Sequence, residues 1–224
     1  MTRVKICCIA SVEEARLAIA HGASAIGLVS EMPSGPGVIP EPLIAEIAAT
    51  VPHGIGTFLL TCRPSVDGIV GQQRRTGVNT IQICDDLAVG ALPELRTALP
   101  GVSLVQVIHV DGDEAVARAA AVAPSVDAIL LDSGNQNLAV KELGGTGRRH
   151  DWSISRRIRE QVDVPVYLAG GLRADNVAEA IATVGPFALD VCSGVRTDGR
   201  LDGVKLESFF AAVKRAPAVC YDSR

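Results

Sequence analysis

The chain has 224 residues, enough for one domain that buries roughly 70% of its unfolded surface, and 48% of them are hydrophobic while only 3% are aromatic. Its interior must be filled mainly by Val, Ile, Leu and Ala. A formal net charge of −4 and a pI near 5.6 argue against nucleic acid or an acidic membrane as the main partner, and no run approaches the ~18 apolar residues of a membrane helix.

Met1 to Ile6 is a charged start that runs straight into a strand with no apolar signal region, which points to a cytoplasmic protein. Its cysteines, at 7, 8, 62, 84, 192 and 220, are then expected as thiols; with no C-x-x-C pair and no Cys/His cluster, no metal site is expected.

In chain order, Val4 to Ile9 is a first apolar run. Ser11 and Glu14 make a capping box for a helix that stops at Gly22. Ala25 to Val29 reads as strand two, followed by a Pro/Gly-rich loop at 33–37 and a helix with Leu43, Ile44, Ile47 and Val51 inward. Gly56 to Leu60 is strand three; its helix, Ser65 to Arg75, is weakened by Gly68 and Gly71 at about 1 kcal/mol each. Asn79 to Cys84 and Ser103 to Val110 are strands four and five, with a helix from Leu92 to Leu99 between them and a second one capped by Asp111 and Glu114 after. Ala128 to Asp132 is strand six. The irregular segment 133–150 exceeds the connections that compact domains use and is expected as either a functional lid or a disordered insert.

After a helix from Asp151 to Val162, Val164 to Leu168 breaks at Gly170-Gly171 and a helical pattern with Val177, Ile181 and Val184 on one face follows. Glycines at such a turn let backbone amides approach a ligand, and a helix N-terminus favours negative charge; the guest this suits is a phosphate. Ala188 to Cys192 is strand eight, and Ser193-Gly194 ends it with small residues whose amides could face the same anion. Eight strand-then-helix units without a composition break predict a single α/β domain over 1–224, a (β/α)8 TIM barrel, with a doubly wound open sheet as the competing architecture.

Barrel chemistry sits at the carboxyl ends of strands. Those ends offer Cys7 or Cys8, Cys84-Asp85, His109, Asp132, Gly170-Gly171, Asp190 and Ser193-Gly194. Lys5 and Cys7 share one strand parity and Ile6 and Cys8 the other. Cys7 then faces the barrel axis if Ile6 packs on helices, either as filler or as a base beside the Lys5 ammonium, and Cys8 reads as outward filler. Asp132, directly after an apolar run, is either a loop cap or a general acid whose pKa burial raises. Asp190 suits Lys5 or a sugar hydroxyl as partner, and His109 is either a second base or only a hydrogen-bonded surface residue. The glycines of 144–150 supply hinge freedom, and Arg148 and Arg149 supply charge, as a lid over an anionic ligand needs; the alternative is a solvated basic loop.

Taken together these segments resemble phosphoribosylanthranilate isomerase, a tryptophan-pathway family, over nearly the whole chain. Its K-I-C-G appears as Lys5-Ile6-Cys7-Cys8 and its L-L-D-S as Leu130-Leu131-Asp132-Ser133. Its G-G-T-G-K followed by F-D-W appears as Gly144 to Arg148 and His150-Asp151-Trp152, its L-A-G-G-L as Leu168 to Leu172, and its D-V-S-S-G-V as Asp190 to Val195 with Cys192 for one Ser. The resemblance implies an isomerase that performs an Amadori rearrangement of a phosphorylated sugar without a cofactor, as monomer or homodimer. It makes Cys7 the general base, Asp132 the general acid, and Gly170, Gly171, Ser193 and Gly194 the phosphate site. Lys5, Gln82, His109, Gly145, Asp190 and Arg196 are implied as further substrate contacts.

Departures fall at the aromatic end. The family's P-S-x-R, whose arginine grips the anthranilate carboxylate, is Pro33-Ser34-Gly35-Pro36 here. V-Q-L-H-G becomes Ile81 to Asp85, G-V-E becomes Gly194-Val195-Arg196, and a later lysine falls on Leu201. Arg196 could replace the missing guanidinium from the other side of the mouth. Two other readings follow from these changes: a relative acting on a different phosphorylated sugar, and a barrel that binds a phosphorylated metabolite without turning it over.

Overall fold

Side-chain alternation decides what each strand of this chain shows to the barrel axis and what to the helices. In the computed structural model, which describes residues 2–217 apart from 135, 137 and 146, eight strands alternate with eight helices. The order is β1 (Arg3–Ile6), α1 (Val12–Ala20), β2 (Ala25–Val29), α2 (Glu41–Thr50), β3 (Gly56–Thr61), α3 (Val66–Thr76), β4 (Thr80–Ile83) and α4 (Ala91–Ala98). It continues with β5 (Ser103–His109), α5 (Glu114–Val122), β6 (Ala128–Asp132), α6 (Trp152–Gln161), β7 (Val166–Leu168), α7 (Val177–Val184) and β8 (Ala188–Val191). A two-stranded hairpin, β9 (Arg196–Thr197) and β10 (Arg200–Leu201), precedes α8 (Gly203–Arg215).

All eight strands are parallel, each pairs with the next in sequence, and β8 closes on β1 with Lys5 opposite Asp190 and Ile6 opposite Val191. The sheet is therefore the closed ring, and the open-sheet alternative falls away.

Two apolar clusters follow from the parity. Val4, Ile6, Ile26, Leu28, Ile81, Ile129, Leu131, Leu189 and Val191 face outward onto the helices. Inside the ring lie Ala25, Phe58, Leu60, Val105, Val107, Ala128 and Leu130, with Cys7, Cys84 and Ala169 toward the mouth. Inward polar side chains share that parity: Lys5, Gln82, His109, Asp132 and Asp190 are all buried.

Helix signals hold with local differences. Ser11 caps α1 by accepting from the Glu14 amide at 3.2 Å, but the Glu14 carboxylate is drawn to the Ala10 amide, the Leu201 amide and Arg196, so the reciprocal half of the box is not made. α3 forms despite its two glycines, held by the Ser65 cap and a left-handed Gly77. Asp111 does not cap α5, which starts at Glu114; its carboxylate instead takes Arg118 at 2.6 Å. No helix among the described residues is long and apolar enough to cross a membrane. Cys220 lies outside the described residues.

Candidate active site

At the carboxyl ends of the strands a cleft opens to solvent. Cys7, Gln82, Asp132, Gly170, Gly171, Asp190 and Ser193 all line it. A sulfur from the start of the chain and a carboxyl from its middle thus meet one space.

Cys7 lies one residue past β1, its amide bonded to the Val191 carbonyl at 2.9 Å, which extends the strand register and keeps its Sγ inward. Gly27 of β2 makes the room: a Cβ there would lie 2.9 Å from Cys7 Sγ and 3.0 Å from Lys5 Nζ. A glycine inside an apolar strand is the signal that sequence reasoning missed, since it marks close approach by a neighbour. Lys5 is fully buried, 2.9 Å from Asp190, an ion pair that is not aligned as a hydrogen bond. Burial alone would pull the Lys5 ammonium down, but Asp190 and then Cys7 outweigh it and hold it above its ordinary range.

Cys8 departs from its expected outward parity. Its φ of +61° is left-handed, which turns the chain off the strand path and brings the thiol inside with Cys7. For a residue with a β-carbon that conformation costs about 1–2 kcal/mol. Burial pushes the Asp132 carboxyl up, against the pull of the Ser133 amide that donates to its Oδ1 at 2.7 Å. Its Oδ2 faces Gly144, where a Cβ would lie 2.8 Å away. Gln82 lines the cavity and carries a buried Oε1 with no hydrogen-bond partner among the described residues.

Gly170 and Gly171 carry φ of +84° and +63°. Their missing β-carbons make room for protein: at Gly170 a Cβ would lie 3.0 Å from His150 Nδ1, and at Gly171 2.9 Å from the Gly147 carbonyl oxygen. The helix beyond starts only at Val177, and the turn between is tied by Asn176, which accepts from the Arg173 amide and donates to the Gly171 carbonyl. The expected helix N-terminus therefore does not abut the glycines. Among the described residues nothing accepts from the amides of Gly171, Ser193 or Gly194, so donors for an anion remain at these strand ends. Gly194 packs under the Leu172 carbonyl rather than lining the cavity itself.

Segment 133–150 crosses the mouth. Ser34 Oγ donates to the Lys141 carbonyl at 2.6 Å, Asp85 takes Lys141 and Gln136, and Gly144, Gly145 and Gly147 line the cavity beside a buried Leu143. Its arginines do not point in: Arg148 pairs with Glu142, while Arg149 pairs with Glu179 and lies over the Trp152 ring.

Two further expected contacts lie elsewhere. The Arg196 guanidinium is taken up by Glu14 and by the carbonyls of Cys7 and Cys8, so it braces the end of β1 and does not line the cavity as the expected substrate contact. His109 is buried rather than at the surface, bonded through Nε2 to the Cys84 carbonyl at 3.2 Å, and lines a separate cavity beside α4 and α5. The other wall of the mouth, Val29, Met32, Pro36, Leu60 and Leu143, was not singled out by pattern, except for Pro36. No Lys, Arg or His side chain lines the cavity among the described residues.

A closed (β/α)8 barrel with a thiol and a buried carboxyl around one cavity at the strands' carboxyl ends has the layout of a barrel enzyme. Comparison with known proteins narrows it. Residues 4–212 match the family described as N-(5'-phosphoribosyl)anthranilate (PRA) isomerase. The N-(5'-phosphoribosyl)anthranilate isomerase of Haloferax volcanii is 40% identical over 218 residues, covering 96% of this chain and 95% of its own, and one from Halobacterium salinarum is 36% identical over 221 residues, covering 97% and 98%. Among solved structures, the enzyme from Thermococcus kodakaraensis superposes with a TM-score of 0.79 at 31% identity, covering 96% of this chain and 100% of its own. A phosphoribosyl anthranilate isomerase in complex with reduced 1-(o-carboxyphenylamino)-1-deoxyribulose 5-phosphate gives 0.80 at 25%, covering 96% and 99%. The chain belongs to the phosphoribosylanthranilate isomerase family.

Proposed function

We propose that this protein isomerises N-(5'-phosphoribosyl)anthranilate to the corresponding 1-amino-1-deoxyribulose phosphate, with Cys7 as general base and Asp132 as general acid. The observation that carries the reading is the convergence of Cys7, Asp132 and the turns at Gly170-Gly171 and Ser193 on one cavity.

The substrate phosphate is held by the free amides at the ends of β7 and β8, which places the ribose between the thiol and the carboxyl. Asp132, whose hold on a proton burial strengthens, gives a proton to the ring oxygen, and the bond from that oxygen to the first sugar carbon breaks, leaving a protonated imine. The cation acidifies the proton on the second carbon; Cys7 removes it as thiolate, and the electron pair flows onto the imine nitrogen. The enolamine then tautomerises to the aminoketose. Lys5, beside the sulfur and itself neutralised by Asp190, positions that charge without reaching the sugar. Segment 133–150 acts as a lid, tied down by Ser34 and Asp85.

The test is turnover of phosphoribosylanthranilate by purified protein, followed as loss of the substrate's anthranilate fluorescence. Cys7→Ala and Asp132→Asn are each expected to lower kcat by about 10²–10⁴-fold with product binding retained. Turnover that survives both substitutions overturns the roles, and absence of turnover by the unmodified protein overturns the function.

A further inference from the structure

The mechanism uses one thiol of the three that crowd the junction of β1 and β8. The other two face each other: Cys8 and Cys192 sulfurs are 2.9 Å apart, and neither is in a disulfide. They come from neighbouring strand ends, because Ile6 pairs with Val191 and the chain continues from both. The pair is reachable from two sides, since Cys8 and Cys192 line both the mouth cavity and a side cleft of about 620 Å³ bordered by Ala10, Gly37, Arg196 and Gly199. Cys8 is also held from behind, where a Cβ on Gly37 would come 2.5 Å from its own Cβ.

We propose that Cys8 and Cys192 are an oxidation site, joined reversibly as a disulfide by a low-molecular-weight disulfide, and that the bond closes the cavity to substrate. The bonded distance is about 2.05 Å, so less than about 1 Å of approach separates this contact from a bond. The hydrogen bond with Cys8 draws the Cys192 thiol down against the cost of its burial, with Arg196 assisting, which marks Cys192 as the attacking sulfur.

The Cys192 thiolate attacks one sulfur of the reagent, forming a mixed disulfide and releasing the first reagent thiolate, which takes the Cys8 proton. The Cys8 thiolate then displaces the second reagent thiolate from Cys192. Two protein thiols are oxidised and one small disulfide is reduced to two thiols. Closure follows from position. Cys8 is covalently next to the base Cys7 and Cys192 next to Ser193, so one bond ties the base to the phosphate turn where β1 and β8 meet at the rim of the mouth.

The consequence for turnover rests on the proposed function; the cross-link does not. Full-length protein is treated with oxidised glutathione, its remaining thiols are alkylated, and the linkage is mapped by tandem mass spectrometry. The expected result is a Cys8–Cys192 cross-link, formed equally in Cys7→Ala protein, where no other thiol stands at the end of β1. Isomerase activity falls at least tenfold and returns with dithiothreitol, and the ratio of oxidised to reduced activity rises to near one in Cys8→Gly and in Cys192→Ser. The alkylation rate of Cys7 by iodoacetamide, which needs no turnover, falls at least tenfold in the linked form. Glutathione retained on Cys7, a Cys7–Cys8 link, no link at all, or a Cys8–Cys192 link with Cys7 still freely alkylated would each overturn the proposal. If the reduced protein turns nothing over, the functional reading fails while the map and the alkylation rate still decide this one.

Discussion

The two halves of the mouth are built from different material. Around the ends of β7 and β8 the cavity wall is main chain: Gly147, Gly170, Gly171 and Ser193, several at positive φ, with protein packed where β-carbons would be. Around the ends of β1 to β3, closed by Leu143 of segment 133–150, it is side chain: Cys7, Met32, Pro36 and Leu60. A wall of main chain tolerates little change, because each added carbon meets backbone. A wall of side chains can change one residue at a time.

The largest expected effect comes from cutting the bond between the halves, the Lys5–Asp190 pair that joins β1 to β8. Both partners are buried, so Lys5→Met leaves an uncompensated carboxylate inside the barrel and should cost about 3–5 kcal/mol. Adding Asp190→Asn to it should recover most of the loss, since the orphaned charge is then gone. Urea unfolding of the two variants measures both; equal stability for single and double variants would show that the pair does not join the halves energetically.

Next comes the prop beneath the main-chain half. His150 packs behind Gly170 and shares a 2.7 Å hydrogen bond with Ser155 Oγ, and burial lowers its pKa from 6.5 to about 4. The folded form therefore binds the proton less readily than the unfolded one. Its contribution to stability is whole above pH 6.5 and is lost progressively as pH falls toward 4, by about 3 kcal/mol in all. The difference in unfolding free energy between the wild type and His150→Gln should shrink or reverse across that window and stay constant above it.

These contrasts also explain what could be read from sequence. Strand alternation with apolar periodicity was enough for the eight units, and parity put Lys5 and Cys7 inside because a strand's side chains must alternate. Parity failed at Cys8, where a left-handed φ ends the strand path, and nothing local announces a left-handed cysteine. The glycine pair was legible as a turn, but its β-carbons are excluded by Gly147, Arg148 and His150, residues of a segment whose course the sequence pattern leaves open. The direction of Arg196 depends on Glu14, 182 positions away, and such partners are found only by folding the chain. Gly27 was readable and passed over.

A third prediction separates the two costs of a glycine in the main-chain half. Gly171→Ala adds a Cβ 2.9–3.0 Å from the backbone of Gly147 and Arg148 at a φ of +63°, whereas Gly90→Ala, at a φ of +88°, meets nothing within 4 Å. Both should lose about 1–2 kcal/mol of stability for the left-handed conformation. Only Gly171→Ala should also raise the KM for phosphoribosylanthranilate, by about tenfold, because it displaces the segment that covers the amides. Equal KM values would mean that the turn and its cover do not shape the anion end.

The smallest effect is expected in the side-chain half. Pro36 lines the cavity on its exposed side and packs on Gly145, where a Cβ would lie 2.5 Å from Pro36 Cδ; no cation lines that wall among the described residues. Pro36→Arg supplies a guanidinium for the anthranilate carboxylate, but at an exposed site such a pair is worth about 1 kcal/mol or less, which limits the fall in KM to about fivefold. The gain should fade with added salt, as an exposed ion pair does, while the KM of the Gly171→Ala protein should keep its ratio to that of the wild type. A gain that salt leaves intact would mean instead that the arginine packs its stem against Met32 and Leu143, and that this half selects its aglycone by shape alone.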